Sequence, residues 1–118
     1  LDARQAYANL DYCSSQFCLG GHSHVPVIFQ ADSKKKRCDT LRAPFASPVE
    51  LGRQRAIVNP GSVGQPRDGD PRASYALLDT DAWTWEYRRV SYPVEITQEL
   101  MRARGLPHRL VERLALGR

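Results

Sequence analysis

The sequence predicts an α+β fold in which helices near both ends of the chain flank a mainly antiparallel set of strands. Two observations support this class. Apolar residues recur with helical spacing at both ends of the 118-residue chain, whereas short apolar or alternating runs between turn-forming residues fill the middle. A chain of this length is enough for one small domain.

Residues 2–10 are predicted to form a short helix. Asp2 is a suitable N-cap, and Gln5 three residues later completes a capping-box pattern. Apolar side chains then recur on one helical face, at Ala3, Ala6, Tyr7 and Leu10.

Short strands are predicted through the middle of the chain. The first two cover residues 16–20 and 25–30, and Pro26 indicates either an edge strand or the first position of a strand. Further short strands are expected at 37–41, 48–51 and 56–58. The basic segment Lys34–Arg37 is expected to be a solvated hairpin tip, with a phosphate-binding patch as the alternative.

A long shaped loop is predicted for residues 59–72, because six glycines and prolines interrupt any regular structure there. A loop of this length in a small domain is usually functional or disordered. Residues 74–78 and 83–88 then form a predicted hairpin. The aromatic stripe of its second strand is expected to lie in the core, at Trp83, Trp85 and Tyr87.

Two helices are predicted at the end of the chain. Thr97 is expected to cap the first, which Gly105 terminates. Pro107 suits the first turn of the second helix, which Gly117 closes. One face of that helix is expected to carry Leu106, Leu110 and Leu114.

Charge and cysteine content narrow the function classes only modestly. A net charge of +4 is compatible with nucleic acid or another polyanion as a partner. An odd number of cysteines, three, argues against a disulfide framework, and free thiols fit a cytoplasmic location. No apolar run is long enough to span a bilayer, so no membrane partner is expected.

The segment Gly21-His22-Ser23-His24 is a candidate metal site. In an extended backbone, His22 and His24 would project to the same side, where two imidazoles could reach one metal ion or a close pair. The small residues Gly20 and Gly21 would let the backbone turn sharply before them. Structural or surface histidines are the alternative explanation of such a pair.

The segment Asn59–Arg67 is a candidate anion-binding loop. Gly61 can take a positive φ, and consecutive backbone N–H groups in such a turn can form an anion-binding concavity. Ser62 adds a hydroxyl, and Arg67 and Arg72 offer guanidinium groups suited to phosphate. A purely structural turn between strands is the alternative.

Together these two segments resemble the calcineurin-like metallophosphoesterases. Gly21–Pro26 is similar to the Gly-His-x-His signature of that family, and Asn59–Arg67 is similar to the loop that follows it in the YfcE-like phosphodiesterase branch. The resemblance continues through Ala73–Ala76 and Leu106-Pro107, and so covers nearly the whole chain.

The resemblance implies a β-sandwich flanked by helices and a site with two divalent ions, commonly manganese, iron, zinc or nickel. His22 would ligate one ion and His24 the other. The turn formed by Asn59, Gly61 and Ser62 would pack beside them, and Arg67 would face the phosphate. The implied reaction is hydrolysis of a phosphomonoester or phosphodiester bond.

The family's remaining site motifs do not precede Gly21-His22-Ser23-His24 in this sequence, and its one Gly-Asp pair, Gly69-Asp70, follows that segment. The motifs are an Asp-x-His, a Gly-Asp, and a Gly-Asn-His that would supply the general-acid histidine; His108, the remaining histidine, matches none of them. Residues 1–118 are therefore expected to form a single partial domain, the C-terminal half of the catalytic domain: a fragment, a cleavage product or a deliberately shortened chain. Without a catalytic residue of its own, it is expected to be inactive alone.

Several alternatives stay open at the level of sequence. The chain could be a non-catalytic interaction scaffold of the same fold, as in the retromer coat. It could also be a mononuclear zinc module that uses Cys13, Cys18, His22 and His24. Expected partners are a phosphate-ester substrate and either the missing N-terminal half or a second copy. Cyclic nucleotides, dinucleoside polyphosphates, phosphoproteins and nucleic acid ends all remain substrate candidates.

Overall fold

Seven strands in two sheets, with three α-helices around them, make up the computed structural model, which describes residues 2–118. The N-terminal helix α1 is Ala3–Asn9, followed by a 3₁₀ turn at Leu10–Tyr12. The strands are β1 Phe17–Leu19, β2 Pro26–Asp32, β3 Arg37–Leu41, β4 Val49–Glu50, β5 Ala56–Pro60, β6 Ala73–Asp79 and β7 Thr84–Val90. The C-terminal helices are α2 Val94–Ala103 and α3 His108–Leu116.

The two sheets are mainly antiparallel, as the sequence predicts. The first has the strand order β1-β5-β2-β3, and only its β1–β5 pair is parallel. The second has the order β4-β7-β6, and both of its pairs are antiparallel. The predicted α+β class is therefore confirmed, with β1 and β6 each at an edge of its sheet.

Strand β2 separates the two parts of the core, because its alternate side chains enter opposite layers. Val27 and Phe29 pack toward α1, in a cluster completed by Ala6, Leu10, Cys38 and Ile57. Ile28 faces the second sheet, in a cluster completed by Leu51, Ala56, Val58, Trp85 and Tyr87. The molecule is thus layered as helix, four-stranded sheet and three-stranded sheet.

Local sequence signals account for two of the predicted features. The Asp2 carboxylate accepts from the N–H groups of Arg4 at 2.9 Å and Gln5 at 2.8 Å, and the Gln5 side chain accepts from Asp2 N at 3.2 Å, which confirms the capping box. The basic segment is an exposed turn between β2 and β3, in which Lys35 Nζ pairs with Asp32 at 2.8 Å. It is the solvated hairpin tip that was expected.

Two strand predictions need correction. Pro26 occupies the first position of β2, which confirms one of the two predicted options, and the edge-strand option is wrong because β2 lies between β5 and β3. Trp83 is 44% exposed and has φ 50° in the turn before β7, so it does not share the core with Trp85. Its ring instead lies 4.9 Å from that of Phe17.

The C-terminal helices occur as predicted but with different ends and faces. Pro93, not Thr97, precedes α2, so the predicted cap is wrong, while Gly105 follows the helix with φ 69°. Pro107 is the residue before α3, and Gly117 closes α3 with φ 64°. The buried face of α3 consists of Val111 and Leu114, whereas Leu106 lies outside the helix and is exposed.

None of the helices in residues 2–118 combines the length and the apolar character needed to cross a bilayer.

Candidate functional site

The two candidate metal ligands lie in the loop between β1 and β2. His22 has φ 71° and His24 has φ 62°, which is the left-handed region that residues with a Cβ rarely adopt. Ser23 N donates to Gly21 O at 2.9 Å, which closes a three-residue γ-turn centred on His22. The prediction of an extended backbone here is wrong, because His22 lies at the centre of this turn and His24 also has a positive φ.

Of the two preceding glycines, Gly20 has a role other than the predicted sharp turn. Positive φ values are found at the histidines and at other glycines, not at Gly20 or Gly21. At Gly20 a Cβ would lie 3.3 Å from Ile57 Cγ2, so the lack of a side chain there serves close packing against β5.

One ring nitrogen of His24 has a backbone partner. His24 Nδ1 lies 2.7 Å from Gln65 O. Because a carbonyl oxygen can only accept, Nδ1 carries the proton in this contact, and a neutral ring then has its lone pair on Nε2. Arg67 N also donates to His24 O at 3.2 Å, so the loop after β5 holds His24 through both its ring and its backbone.

The end of β5 and the turn after it contact the histidine loop through Asn59 and Gln65. Gly61 has φ 88°, and a Cβ there would lie 2.7 Å from Ser74 Oγ. The Ser62 hydroxyl accepts from Gln65 N at 3.0 Å. The Ser62 hydroxyl is therefore hydrogen-bonded within the loop, where it holds Gln65, the residue whose carbonyl contacts His24.

Asn59 connects this turn to the histidine loop. Its amide Nδ2 donates to Gly21 O at 3.0 Å and to Ser23 Oγ at 2.9 Å, while its Oδ1 accepts from Gly61 N at 2.9 Å. Its side chain therefore bonds to the residues on either side of His22. The implied vicinity of Asn59 to the phosphate stays a prediction.

The two candidate phosphate-binding arginines differ in their engagement. The Arg67 guanidinium is exposed, and its Nη2 donates to Gln65 Oε1 at 2.8 Å. The Arg72 guanidinium instead forms a two-pronged pair with Asp70, with Nη2–Oδ2 at 2.6 Å. Hydrogen bonding from Arg72 lowers the pKa of Asp70 to about 2. Of the two, Arg67 is the one beside the histidine loop.

Arg89 is a buried structural residue that no sequence motif indicates. Its side chain is 2% exposed, pairs with Asp68, and donates to Arg72 O at 2.8 Å and to Asp70 O at 3.2 Å. Arg89 lies two residues after Tyr87 in β7. Because alternate residues of a strand share a face, the inward position of Tyr87 predicts an inward Arg89 as well.

The proposed four-ligand zinc module is wrong. Within residues 2–118, no three His, Cys, Asp or Glu side chains are grouped so that they could hold one metal ion. The Cys13 and Cys18 side chains instead hydrogen-bond to each other, which raises the pKa of Cys18. His108 is exposed and lies 3.4 Å from Glu112, away from the histidine loop in the fold.

Comparison with known proteins identifies the architecture. A sequence profile of the calcineurin-like phosphoesterase superfamily domain matches residues 2–82. The chain belongs to this superfamily. The resemblance seen in the two sequence motifs is thereby confirmed, and the layered helix and sheets are a portion of a metallophosphoesterase fold.

A solved relative supports the same assignment. The metallophosphoesterase from Sphaerobacter thermophilus is 41% identical, superposes with a TM-score of 0.91, and is matched over 99% of this chain and 48% of its own. The uncharacterized protein MJ0912 of Methanocaldococcus jannaschii is 34% identical over 114 residues, which are 92% of this chain and 44% of that protein. The chain thus spans less than half the length of these relatives.

A more distant structure agrees in fold alone. The hypothetical protein PH1004 from Pyrococcus horikoshii is 19% identical with a TM-score of 0.61, over 95% of this chain and 35% of its own. The superfamily is one of phosphoesterases, so the general chemical class associated with this fold is phosphoester hydrolysis.

Proposed function

We propose that this chain is a single partial domain of a metal-dependent phosphoesterase that hydrolyses phosphomonoester or phosphodiester bonds, and that it supplies half of the metal site through His22 and His24. The observation that carries the proposal is the contact between His24 Nδ1 and Gln65 O at 2.7 Å. A ligating histidine typically donates its other ring N–H to such a carbonyl, which fixes the tautomer and the ring orientation.

The donor set fits divalent transition metals but is incomplete. Neutral imidazole is a suitable ligand for iron, nickel and zinc, and two divalent ions would polarise a phosphate ester and favour attack by water. His22 and His24 provide one nitrogen ligand for each of two ions. Since residues 2–118 contain no group of three metal-ligating side chains, carboxylates from another segment must complete the site.

An apolar groove between the two sheets suggests where that segment would lie. The groove encloses about 430 Å³, and β1 and β6, the edge strands of the two sheets, both contribute to its lining. Leu19 is 65% exposed and Val63 is 64% exposed beside it. Unpaired strand edges and apolar surface favour pairing with further strands, so we propose that the missing N-terminal half, or a second copy, docks here.

Arg67 is the proposed phosphate-facing residue of this half-site. Its guanidinium is exposed and lies on the loop that holds His24, and a guanidinium matches the geometry of phosphate oxygens.

The three cysteines are free thiols, which supports a cytoplasmic location for the protein.

The test combines metal analysis with hydrolysis of bis(p-nitrophenyl) phosphate. We expect negligible hydrolysis by this chain alone. Activity should appear when it is combined with the part of the Sphaerobacter relative that lies outside the match, together with bound manganese, iron, zinc or nickel. A His22→Ala/His24→Ala variant is the control, and it should restore neither metal binding nor activity. Hydrolysis by the chain alone, well above that control, would refute the half-site.

A second candidate function is a non-catalytic scaffold of the same fold, which the exposed apolar groove favours. Metal analysis separates the two. A combined, stable complex that binds no metal would support the scaffold, whereas two ions per complex would support the phosphoesterase.

A further inference from the structure

The backbone of the histidine loop adopts a conformation that its own residues do not favour. His22 and His24 have φ values of 71° and 62°, where a Cβ is crowded by the backbone. Such conformations persist only where the surrounding structure holds them in place. Contacts from outside the loop must therefore hold it.

The side-chain amide of Asn59 bonds to both residues that flank His22. Nδ2 donates to Gly21 O at 3.0 Å and to Ser23 Oγ at 2.9 Å, which uses both of its protons. Oδ1 accepts from Gly61 N at 2.9 Å. Because Gly21 O can only accept and Gly61 N can only donate, the orientation of the amide is fixed.

Asn59 is itself anchored in the core. It lies in β5, pairs in register with Val27 of β2, and is 5% exposed. Its backbone carbonyl accepts from the hydroxyl of Tyr87 at 3.0 Å, and burial raises the pKa of Tyr87 to about 12, which keeps that donor protonated. A buried amide on a central strand can therefore transmit the rigidity of the sheet to the loop.

We propose that Asn59 is a positioning residue, which holds the γ-turn at His22 and thereby sets the direction of the two imidazoles, and that it is not a ligand of the phosphate. Its relevance to catalysis rests on the proposed function. The positioning itself is a property of this chain and is measurable without a substrate.

The test compares the two asparagines of the chain. Asn59→Asp keeps the shape of the side chain but replaces the donor with an oxygen that faces Gly21 O and Ser23 Oγ. Asn9→Asp makes the same chemical change on the exposed face of α1, where Nδ2 donates to Gln5 O at 2.8 Å. The first measurement is the backbone NMR chemical shifts of residues 21–24 in this chain. The second is the Zn²⁺ dissociation constant, from titration with ZnCl₂, of this chain combined with the part of the Sphaerobacter relative that lies outside the match.

We expect Asn59→Asp to move the chemical shifts of residues 21–24 and to weaken Zn²⁺ binding by about 10–100-fold, as is typical when a group that orients a ligand is lost. Asn9→Asp should change neither. Val111→Ala, which opens space in the buried face of α3, is a second control that lowers stability without contacting the loop. It too should leave both measurements unchanged.

The outcomes separate this inference from the proposed function. Unchanged shifts in Asn59→Asp would overturn the positioning role, as would an equal loss of Zn²⁺ affinity in Val111→Ala. If the combined wild-type complex bound no Zn²⁺ while the Asn59→Asp shifts moved, the positioning role would stand and the metal half-site would fail.

Discussion

The buried arginine of β7 gives the most quantitative prediction. The Arg89 guanidinium is 2% exposed, pairs with Asp68, donates to the carbonyls of Asp70 and Arg72, and lies 4.6 Å from the centre of the Phe45 ring. Arg89→Met keeps much of the length but removes the charge and every donor. The carboxylate of Asp68 and two carbonyls would then lose their partner.

We expect Arg89→Met to lower the free energy of unfolding by about 3 kcal/mol. Breaking a buried ion pair by removing one partner costs about 3–5 kcal/mol, and the low end applies because the Asp68 side chain is 17% exposed and can regain water. Arg88→Met on the opposite face of β7 is the matched control. Arg88 is 43% exposed and pairs with Glu86 at 2.7 Å, so its loss should cost at most about 1 kcal/mol.

Urea denaturation at neutral pH measures both variants, with unchanged m-values as the sign that only stability has altered. A loss in Arg89→Met that does not exceed the loss in Arg88→Met would show that the arginine does not stabilise the loop at residues 68–72.

Three further predictions follow from single contacts. Long-range ¹⁵N NMR should find neutral His24 protonated at Nδ1; protonation at Nε2 would contradict the contact with Gln65. The pKa of Asp70 is lowered from 3.8 to about 2 in the folded protein, so the stability that its carboxylate contributes is complete above about pH 4 and is lost as the pH falls toward about 2. Asp70→Asn should therefore flatten the acid side of the curve of unfolding free energy against pH. An unchanged curve would count against this role of Asp70. Gly61→Ala should lower the free energy of unfolding by about 2–4 kcal/mol, because the φ of Gly61 is 88° and a Cβ there would lie 2.7 Å from Ser74 Oγ. Gly64→Ala is the control, since a Cβ at Gly64 would meet no atom within 4 Å, and it should change the free energy of unfolding by less than about 1 kcal/mol. Thermal unfolding measures both variants.

Features that depend on neighbouring residues were predictable from the sequence. The capping box at Asp2, the hairpin of β6 and β7, and the closure of α3 at Gly117 each follow from a pattern a few residues long. The same holds for Gly61, whose positive φ the breaker-rich segment already suggested. Local dihedral preferences are encoded locally, so these predictions needed no knowledge of packing.

Predictions that depended on surroundings failed where packing decided the outcome. Trp83 continues the alternation of β7 in sequence but lies in the turn, where its ring meets Phe17 from β1. Thr97 is a good capping residue, yet α2 begins three residues earlier, after Pro93. In both cases the tertiary structure overrode a local preference: the period-2 alternation at Trp83 and the capping preference of Thr97.

The sequence by itself determined the superfamily, through two short motifs in a characteristic order, and it pointed to His22 and His24 as candidate metal ligands. Only the tertiary structure assigned partners within the site: the amide of Asn59 to Gly21 O across 38 positions, and the ring of His24 to Gln65 O across 41. The physical reason is that a motif encodes residue types and local backbone preferences. Which donor meets which acceptor is decided by the packing of β5 beside β2, which brings distant segments within hydrogen-bonding distance.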